Sequence, residues 1–210
     1  MLITLEGIEG SGKTTQIQYM AEYFRAKGHD CALTKEPGGT GIGEKIRSIL
    51  LNPGNHAMDP LAELLLYAAD RAQHINEMII PTLKAGKIVI CDRFHDSTIV
   101  YQGFARGLDM RLIRQLNSLV MDDLSPDMTF LLDLPPELGL KRAWKQIQNG
   151  SRDESETRFE NEKLQFHEKV RNGYLAIARQ EPVRFVVVDA SKDAEQVRAE
   201  ILERLTVLVK

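Results

Sequence analysis

The run Gly7-Ile8-Glu9-Gly10-Ser11-Gly12-Lys13-Thr14 has the residue types and spacing to hold a polyphosphate. Its glycines let backbone N–H groups converge on an anion without side chains in the way. It fits G-x-x-x-x-G-K-[ST], follows the short apolar run Leu2–Leu5, and opens a pattern in which Ile17, Met20, Ala21 and Phe24 recur at helical spacing. A helix N-terminus at that point adds a favourable field for negative charge. In such a loop Lys13 reaches the β- and γ-phosphates and the Thr14 hydroxyl ligates Mg2+. The plainer alternative is a glycine turn before a helix with a solvated lysine. The loop alone names no reaction, because kinases, switch GTPases and motor ATPases share it. Neither Asn-Lys-x-Asp nor an Asp followed three residues later by Gly occurs, which leans towards a kinase acting on a small molecule.

Other residues carry chemistry of the same kind. Ile88–Cys91 is an apolar strand ending in Asp92, and a carboxylate there suits an outer-sphere Mg2+ partner. Arg93 next to it can present a planar fork to a phosphate, and a surface salt bridge is the alternative for the pair. Tyr67, Arg71 and His74 stand at i, i+4 and i+7, a strip beside an apolar stripe rather than opposite it. Such a strip can line a pocket or form the edge of an amphipathic helix; His74 reads as structural. Ser97, Thr98 and Gln102 supply hydrogen-bonding edges of the kind a pyrimidine needs. Between Lys141 and Arg158 lie five basic residues (Lys141, Arg142, Lys145, Arg152, Arg158) and three acidic ones (Asp153, Glu154, Glu156), a local excess of +2. Phosphoryl transfer asks for alignment and positive charge, and a closing loop can deliver arginines while excluding water.

The elements that must position these groups alternate. Strands are expected at Leu2–Leu5, Cys31–Thr34, Ile88–Cys91, Thr129–Leu132 and Phe185–Val188. Helices are expected after Lys13 to Gly28, from about Gly43 to Leu51, along Leu61, Leu64, Leu65, Ala68, Ala69, Ala72, Ile75 and Ile79, around Leu112–Val120, from Leu138 to about Ile147, around Lys163–Ala178, and through Val197, Ile201, Leu205 and Leu208. Continuous apolar strands alternating with helices predict an α/β fold with a five-stranded parallel sheet covered on both faces, whose ligands bind at the carboxyl ends of its strands. Residues Gly150–Thr157 are polar and aperiodic and are expected to form a mobile lid within about 149–158 of a single domain.

The chain has 210 residues, 43% hydrophobic, with formal net charge −3, so a polybasic nucleic-acid binder and a disordered chain are both excluded. Its two cysteines, Cys31 and Cys91, sit in apolar runs and are expected as buried free thiols. No basic leader with a following apolar stretch and no run of about 18 apolar residues occurs, so a soluble cytoplasmic protein is expected.

Five further segments join the phosphate loop in a wider pattern. They are Thr34-Lys35-Glu36-Pro37-Gly38-Gly39-Thr40, Gly43-Glu44-Lys45-Ile46-Arg47, Leu65 to His74, Asp92 to Gly103, and Arg158-Phe159-Glu160. In order and spacing the set resembles thymidylate kinase, from residue 3 to about 160. The resemblance implies ATP and dTMP as substrates, Mg2+ as cofactor and a homodimer. It implies donor contacts from Gly7, Ile8, Glu9, Gly10, Ser11, Gly12, Lys13, Thr14, Thr15 and Arg142. It places Arg93 and Arg47 on the acceptor phosphate, Glu36 and Pro37 in the acceptor site, an aromatic at position 67 against thymine and Arg71 on its carbonyl edge. Ser97, Thr98 and Gln102 join the base site, Tyr101 lies against the sugar where it excludes a 2′-hydroxyl, and Glu9 meets the 3′-hydroxyl; as a bare residue Glu9 could equally be a solvated loop charge. The interior of the phosphate loop lacks arginine while the lid has Arg152 and Arg158, which matches the bacterial type, with Arg152 as the catalytic arginine beside Lys13, Asp92 and Arg93. The chain departs from the family pattern at Lys35 for Arg, Gly41 for Pro, Tyr67 for Phe and Thr157 for Asp.

Overall fold

A computed structural model describes the backbone of residues 1–208 and the side chains of residues 1–206, so the Leu208 side chain lies outside the described residues. Five strands, β1 (Leu2–Glu6), β2 (Cys31–Lys35), β3 (Ile88–Asp92), β4 (Met128–Asp133) and β5 (Phe185–Asp189), form one parallel sheet in the order β2-β3-β1-β4-β5. β1 is central, and all five of its residues are buried, which is why it reads as a continuous apolar run rather than an alternating one. Side chains of successive residues leave on opposite faces. Ile88 and Ile90 of β3 therefore join one core cluster, and Val89 and Cys91 the other. Burying each such side chain contributes about 1.5–3 kcal/mol.

The helices are α1 (Lys13–Ala26), α2 (Gly41–Leu51), α3 (Pro60–His74), α4 (Ile80–Lys84), α5 (His95–Thr98), α6 (Met110–Met121), α7 (Pro136–Gln148), α8 (Leu164–Gln180) and α9 (Ala194–Leu208). α1 buries Ile17, Met20, Ala21 and Phe24, and α9 brings Val197, Ile201 and Leu205 into the same cluster. The connection after β1 leads to one edge of the sheet and that after β4 to the other. The strand ends beside β1 are thus left open for a ligand.

Several expectations need correction. α2 starts at Gly41, two residues earlier than expected, because the Thr40 side chain accepts from the Gly43 N–H at 2.9 Å and caps it. The long helix does not end at Ile79. It passes through a π-turn, Ile75–Ile79, and continues as α4; the π-turn falls just before Pro81, whose missing N–H interrupts the hydrogen-bond ladder of a continuing helix. Its apolar stripe does not all enter the core, since Leu61 and Leu65 are 43% and 49% exposed. The face turned inward carries Glu63, Asp70, Arg71 and His74 instead, and burial of these groups is offset by hydrogen bonds among them and their neighbours. Cys91 is buried as expected, whereas Cys31 at the edge of the sheet is only half-buried. The segment after β3 is more regular than its sequence suggests: α5 runs directly into a second π-helical stretch, Ile99–Ala105. No described helix is long and apolar enough to cross a membrane.

Candidate active site

The phosphate loop leaves β1 and enters α1 with Gly12 as N-cap at φ 93°. Gly10, at φ 70°, presses so closely on α7 that an added Cβ would come within 2.1 Å of the Gly139 carbonyl oxygen, so only glycine fits. Lys13 is buried, and its Nζ donates back to the carbonyls of Gly7 and Ile8, each at 3.1 Å. Burial lowers its pKa to about 8, with Arg93 adding to the shift. Thr14 and Thr15 are exposed on the first turn of α1. Asp92 ends β3 directly across from Leu5 of β1, at the base of the loop. Among the described residues no group of three or more His, Cys, Asp and Glu could enclose a metal. The Thr14 hydroxyl and the Asp92 carboxylate are hard oxygen donors, and Mg2+ takes few protein ligands because nucleotide phosphates and water complete its shell; these two residues therefore fit it. Arg142, one turn beyond Gly139 on α7, donates to the carbonyls of Ala190 and Ser191 at 2.8 and 3.2 Å, away from the second cavity described next.

Beside the loop lies a cavity that opens to solvent. It is lined by Glu9, Glu36, Pro37, Arg47, Tyr67, Arg71, Arg93, Ser97, Thr98, Tyr101, Gln102 and Arg152, all named from the sequence. Four arginines and four glutamates face it, and they are paired one to one. Arg93 Nη2 donates to Glu9 Oε1 at 3.1 Å, Arg71 Nε to Glu36 Oε2 at 2.9 Å, and Arg47 Nε and Nη2 to the two oxygens of Glu156 at 2.8 and 2.6 Å. Arg152 pairs with Glu160. Three of the pairs join different elements and the fourth, Arg152–Glu160, lies within the 149–163 segment, so folding itself assembles most of the charged wall.

Arg93 owes its place to an αL backbone, φ 65°, directly after β3. Its guanidinium lies 5.0 Å from the Tyr101 ring centre, an arrangement that steers the fork towards the cavity. Burial alone would raise the Glu9 pKa, but the hydrogen bond from His167 and the charge of Arg93 outweigh it and hold the carboxyl well below the usual range. The Tyr101 hydroxyl donates to the same carboxylate at 2.6 Å. Arg71 is 1% exposed. Its Nη2 donates to Thr98 Oγ1 at 2.8 Å and its Nη1 to Asn117 Oδ1 at 3.2 Å. Ser97 Oγ donates to Glu6 at 2.7 Å. Burial pushes the Tyr67 phenol upward, so it stays neutral. His74 does not reach the cavity wall; wedged between Glu36 at 2.9 Å and Thr34 at 2.6 Å, it is structural, as its sequence position suggested.

Two expectations about the lid change. Residues 149–163 fold over the cavity with a short 3-10 turn at Glu154–Glu156. Arg158 is not a cavity residue: it is 4% exposed, its Nε donates to the Leu50 carbonyl at 2.5 Å, and it pairs with Glu63. It ties this segment to α2 and α3 while Arg152 faces the cavity. Sequence reasoning did not single out Glu156, Glu160 and Phe159 of the cavity wall, or His167 behind it. Phe159 and Glu160 stand within the quoted Arg158-Phe159-Glu160 run, so a signal existed for them. For His167, 158 residues from Glu9, there was none.

Known proteins match this arrangement along almost the whole chain. A family model described as thymidylate kinase matches residues 5–201. A thymidylate kinase of Desulfosudis oleivorans is 56% identical over 205 residues, 98% of this chain and 96% of that protein. One of Geobacter sulfurreducens is 54% identical, covering 92% and 90%. The crystal structure of thymidylate kinase from Ehrlichia chaffeensis superposes with a TM-score of 0.77 at 39% identity, covering 98% of both chains. With a family model matching residues 5–201 and relatives more than half identical along nearly the whole chain, this chain belongs to the thymidylate kinase family.

Proposed function

We propose that the chain transfers the γ-phosphoryl group of ATP to dTMP, giving ADP and dTDP for dTTP synthesis, with Mg2+. Membership of the family makes it a nucleoside monophosphate kinase, a phosphotransferase. The single observation that carries the acceptor reading is the second cavity, where Arg47, Arg93 and Arg152 converge beside the phosphate loop with a buried base-sized wall behind them. The amides of residues 7–14, Lys13 and Thr15 hold the donor's phosphates, with Arg142 on the α7 side. Thr14 and Asp92 would hold Mg2+, which would neutralise charge on the donor phosphates.

Arg93 and Arg47 orient the dTMP phosphate so that its oxygen attacks the γ-phosphorus in line, with ADP leaving and no phosphoenzyme. Lys13 and Arg152 stabilise charge on the transferring group. Tyr67 stacks on the base, Arg71, Ser97, Thr98 and Gln102 read its edge, Glu36 and Pro37 close that end, and Tyr101 and Glu9 contact the sugar. The lid at about 149–158 excludes water when it closes, within a single domain. A cytoplasmic homodimer is the setting we infer; the exposed Leu61 and Leu65 of α3 support an interface there.

The test is turnover of dTMP, dUMP, dCMP and UMP with ATP, followed as acceptor-stimulated ADP release. Preference for dTMP is expected. ADP release indifferent to acceptor overturns the kinase reading in favour of a nucleotide-dependent switch, and preference for a cytidine nucleotide overturns the base pocket.

A further inference from the structure

We propose that Glu63 is a positioning residue for base selection: its carboxylate fixes the Gln102 amide so that the Gln102 carbonyl faces the cavity and accepts from a pyrimidine N3–H. This deepens the acceptor reading above and rests on it.

Glu63 sits in the first turn of α3, fully buried. Its Oε1 accepts from Gln102 Nε2 at 2.7 Å and from Arg106 Nε at 3.3 Å. Its Oε2 accepts from Arg106 Nη2 at 3.4 Å and from Arg158. Every partner is a donor. A carboxylate flanked by two guanidinium groups offers only lone pairs, so the end of the Gln102 amide that meets it must be nitrogen. The carboxylate cannot turn away, because Arg158 is tied to the Leu50 carbonyl and Arg106 also pairs with Glu162 at 2.6 Å.

An amide is planar, with oxygen opposite its nitrogen. Gln102 lines the cavity, its Oε1 accepts from no protein donor among the described residues, and that oxygen is not sealed in the interior. Arg71 lines the same cavity. Its Nε is committed to Glu36, its Nη2 to Thr98 and the Phe94 carbonyl, and one Nη1 N–H to Asn117, which leaves its free hydrogen-bonding capacity as a donor. The wall therefore shows both a donor and an acceptor. Thymine and uracil present the complement, a carbonyl beside N3–H. Cytosine presents an amino group beside an accepting N3, so both contacts become like against like, and the buried groups lose their partners. Without Glu63, nothing on the amide distinguishes its two orientations.

Glu63→Gln replaces one lone-pair edge by an N–H2. The two guanidinium groups hold its remaining oxygen, its nitrogen turns towards Gln102, and Gln102 inverts. The ratio of kcat/KM for dTMP over dCMP is then expected to fall about 10- to 100-fold. The dTMP over dUMP ratio, which reads only the 5-methyl group, is expected to stay unchanged; a merely structural disturbance blunts both. Gln102→Met keeps Glu63 with its arginines and removes the carbonyl, so it tests the idea even where Glu63→Gln does not fold. It is expected to lower the dTMP over dCMP ratio similarly, and adding Glu63→Gln to it is expected to change that ratio no further. A wild-type ratio in Gln102→Met, or an independent further loss in the double variant, overturns the assignment of Glu63. Wild-type enzyme inactive on dTMP instead overturns the acceptor reading itself.

Discussion

The lid presents an obstacle to the acceptor that can be measured. Glu156 lies across the Nε–Nη2 edge of Arg47 through two bonds of 2.8 and 2.6 Å, while Nη1 is held by the Pro37 carbonyl at 2.8 Å. A phosphate that uses the same fork must first displace the carboxylate. The pair is mostly enclosed, at 17% and 27% side-chain exposure, so it falls between an exposed ion pair and a buried charge-assisted one, about 1–2 kcal/mol. That energy is subtracted from acceptor binding. At about 1.4 kcal/mol per tenfold it corresponds to a factor of about 5–30 in affinity. In Glu156→Gln the amide oxygen keeps one neutral bond, so the expected outcome is a dTMP KM lower by about 3- to 10-fold. Glu156 has left Arg47 before phosphoryl transfer, so bound substrate and transition state gain equally and kcat stays constant. Coupled ADP-release rates against dTMP at saturating ATP decide it. An unchanged or raised KM would refute the competition and leave Glu156 as a plain lid contact.

Three further outcomes are expected. Arg152→Ala lowers kcat with little change in dTMP KM, because its role belongs to the transition state; an effect on KM alone in the same assay removes it from catalysis. Lys13→Ala costs about 3–4 kcal/mol of transition-state stabilisation. In the wild type, Lys13 with a pKa of about 8 loses its proton as pH rises through that value, so kcat/KM for ATP is flat below pH 8 and declines above it; a flat profile to pH 9.5 contradicts the buried cation. Stability runs the other way in this window: the unfolded lysine, near its ordinary 10.5, binds the proton that the folded one lacks, so its contribution rises with pH between about 8 and 10.5. Tyr67→Phe removes a hydroxyl with no protein partner among the described residues while keeping the ring, and kcat/KM for dTMP is expected to change less than about fivefold; a larger loss shows that the hydroxyl touches substrate.

What could be read in the sequence was what depends on neighbours along the chain. The inner strands announced themselves because burial on both faces makes them mostly apolar, the half-exposed edge strands β2 and β5 as short apolar runs, and the phosphate loop because its glycines and lysine act within eight residues. The acceptor residues were legible as motif members, and all of them line one cavity. Their holding groups were not. His167 grips Glu9 from 158 positions away, and Tyr174 grips Glu6 from 168, distances over which no periodicity or spacing speaks. Glu63 carried no signal of its own; the approach of Gln102, Arg106 and Arg158, 39, 43 and 95 residues later, makes its burial tenable. The π-turns escaped for another reason: a pattern of 3.6 cannot reveal one added residue per turn.

Those hidden partners explain how a chain of net charge −3 surrounds one cavity with four arginines. Left alone, four guanidinium groups lining one cavity would repel one another. Each is instead neutralised by a glutamate, from the phosphate loop for Arg93, the loop after β2 for Arg71 and the 149–163 segment for Arg47 and Arg152. Acceptor binding is then an exchange of one anion for another. The pairs differ in how freely they exchange. Arg71–Glu36 is 1% and 2% exposed and also holds His74, so it stays and shapes the base wall. Arg47–Glu156 is more exposed, at 17% and 27%, and is the pair whose exchange for a phosphate the Glu156→Gln measurement reads.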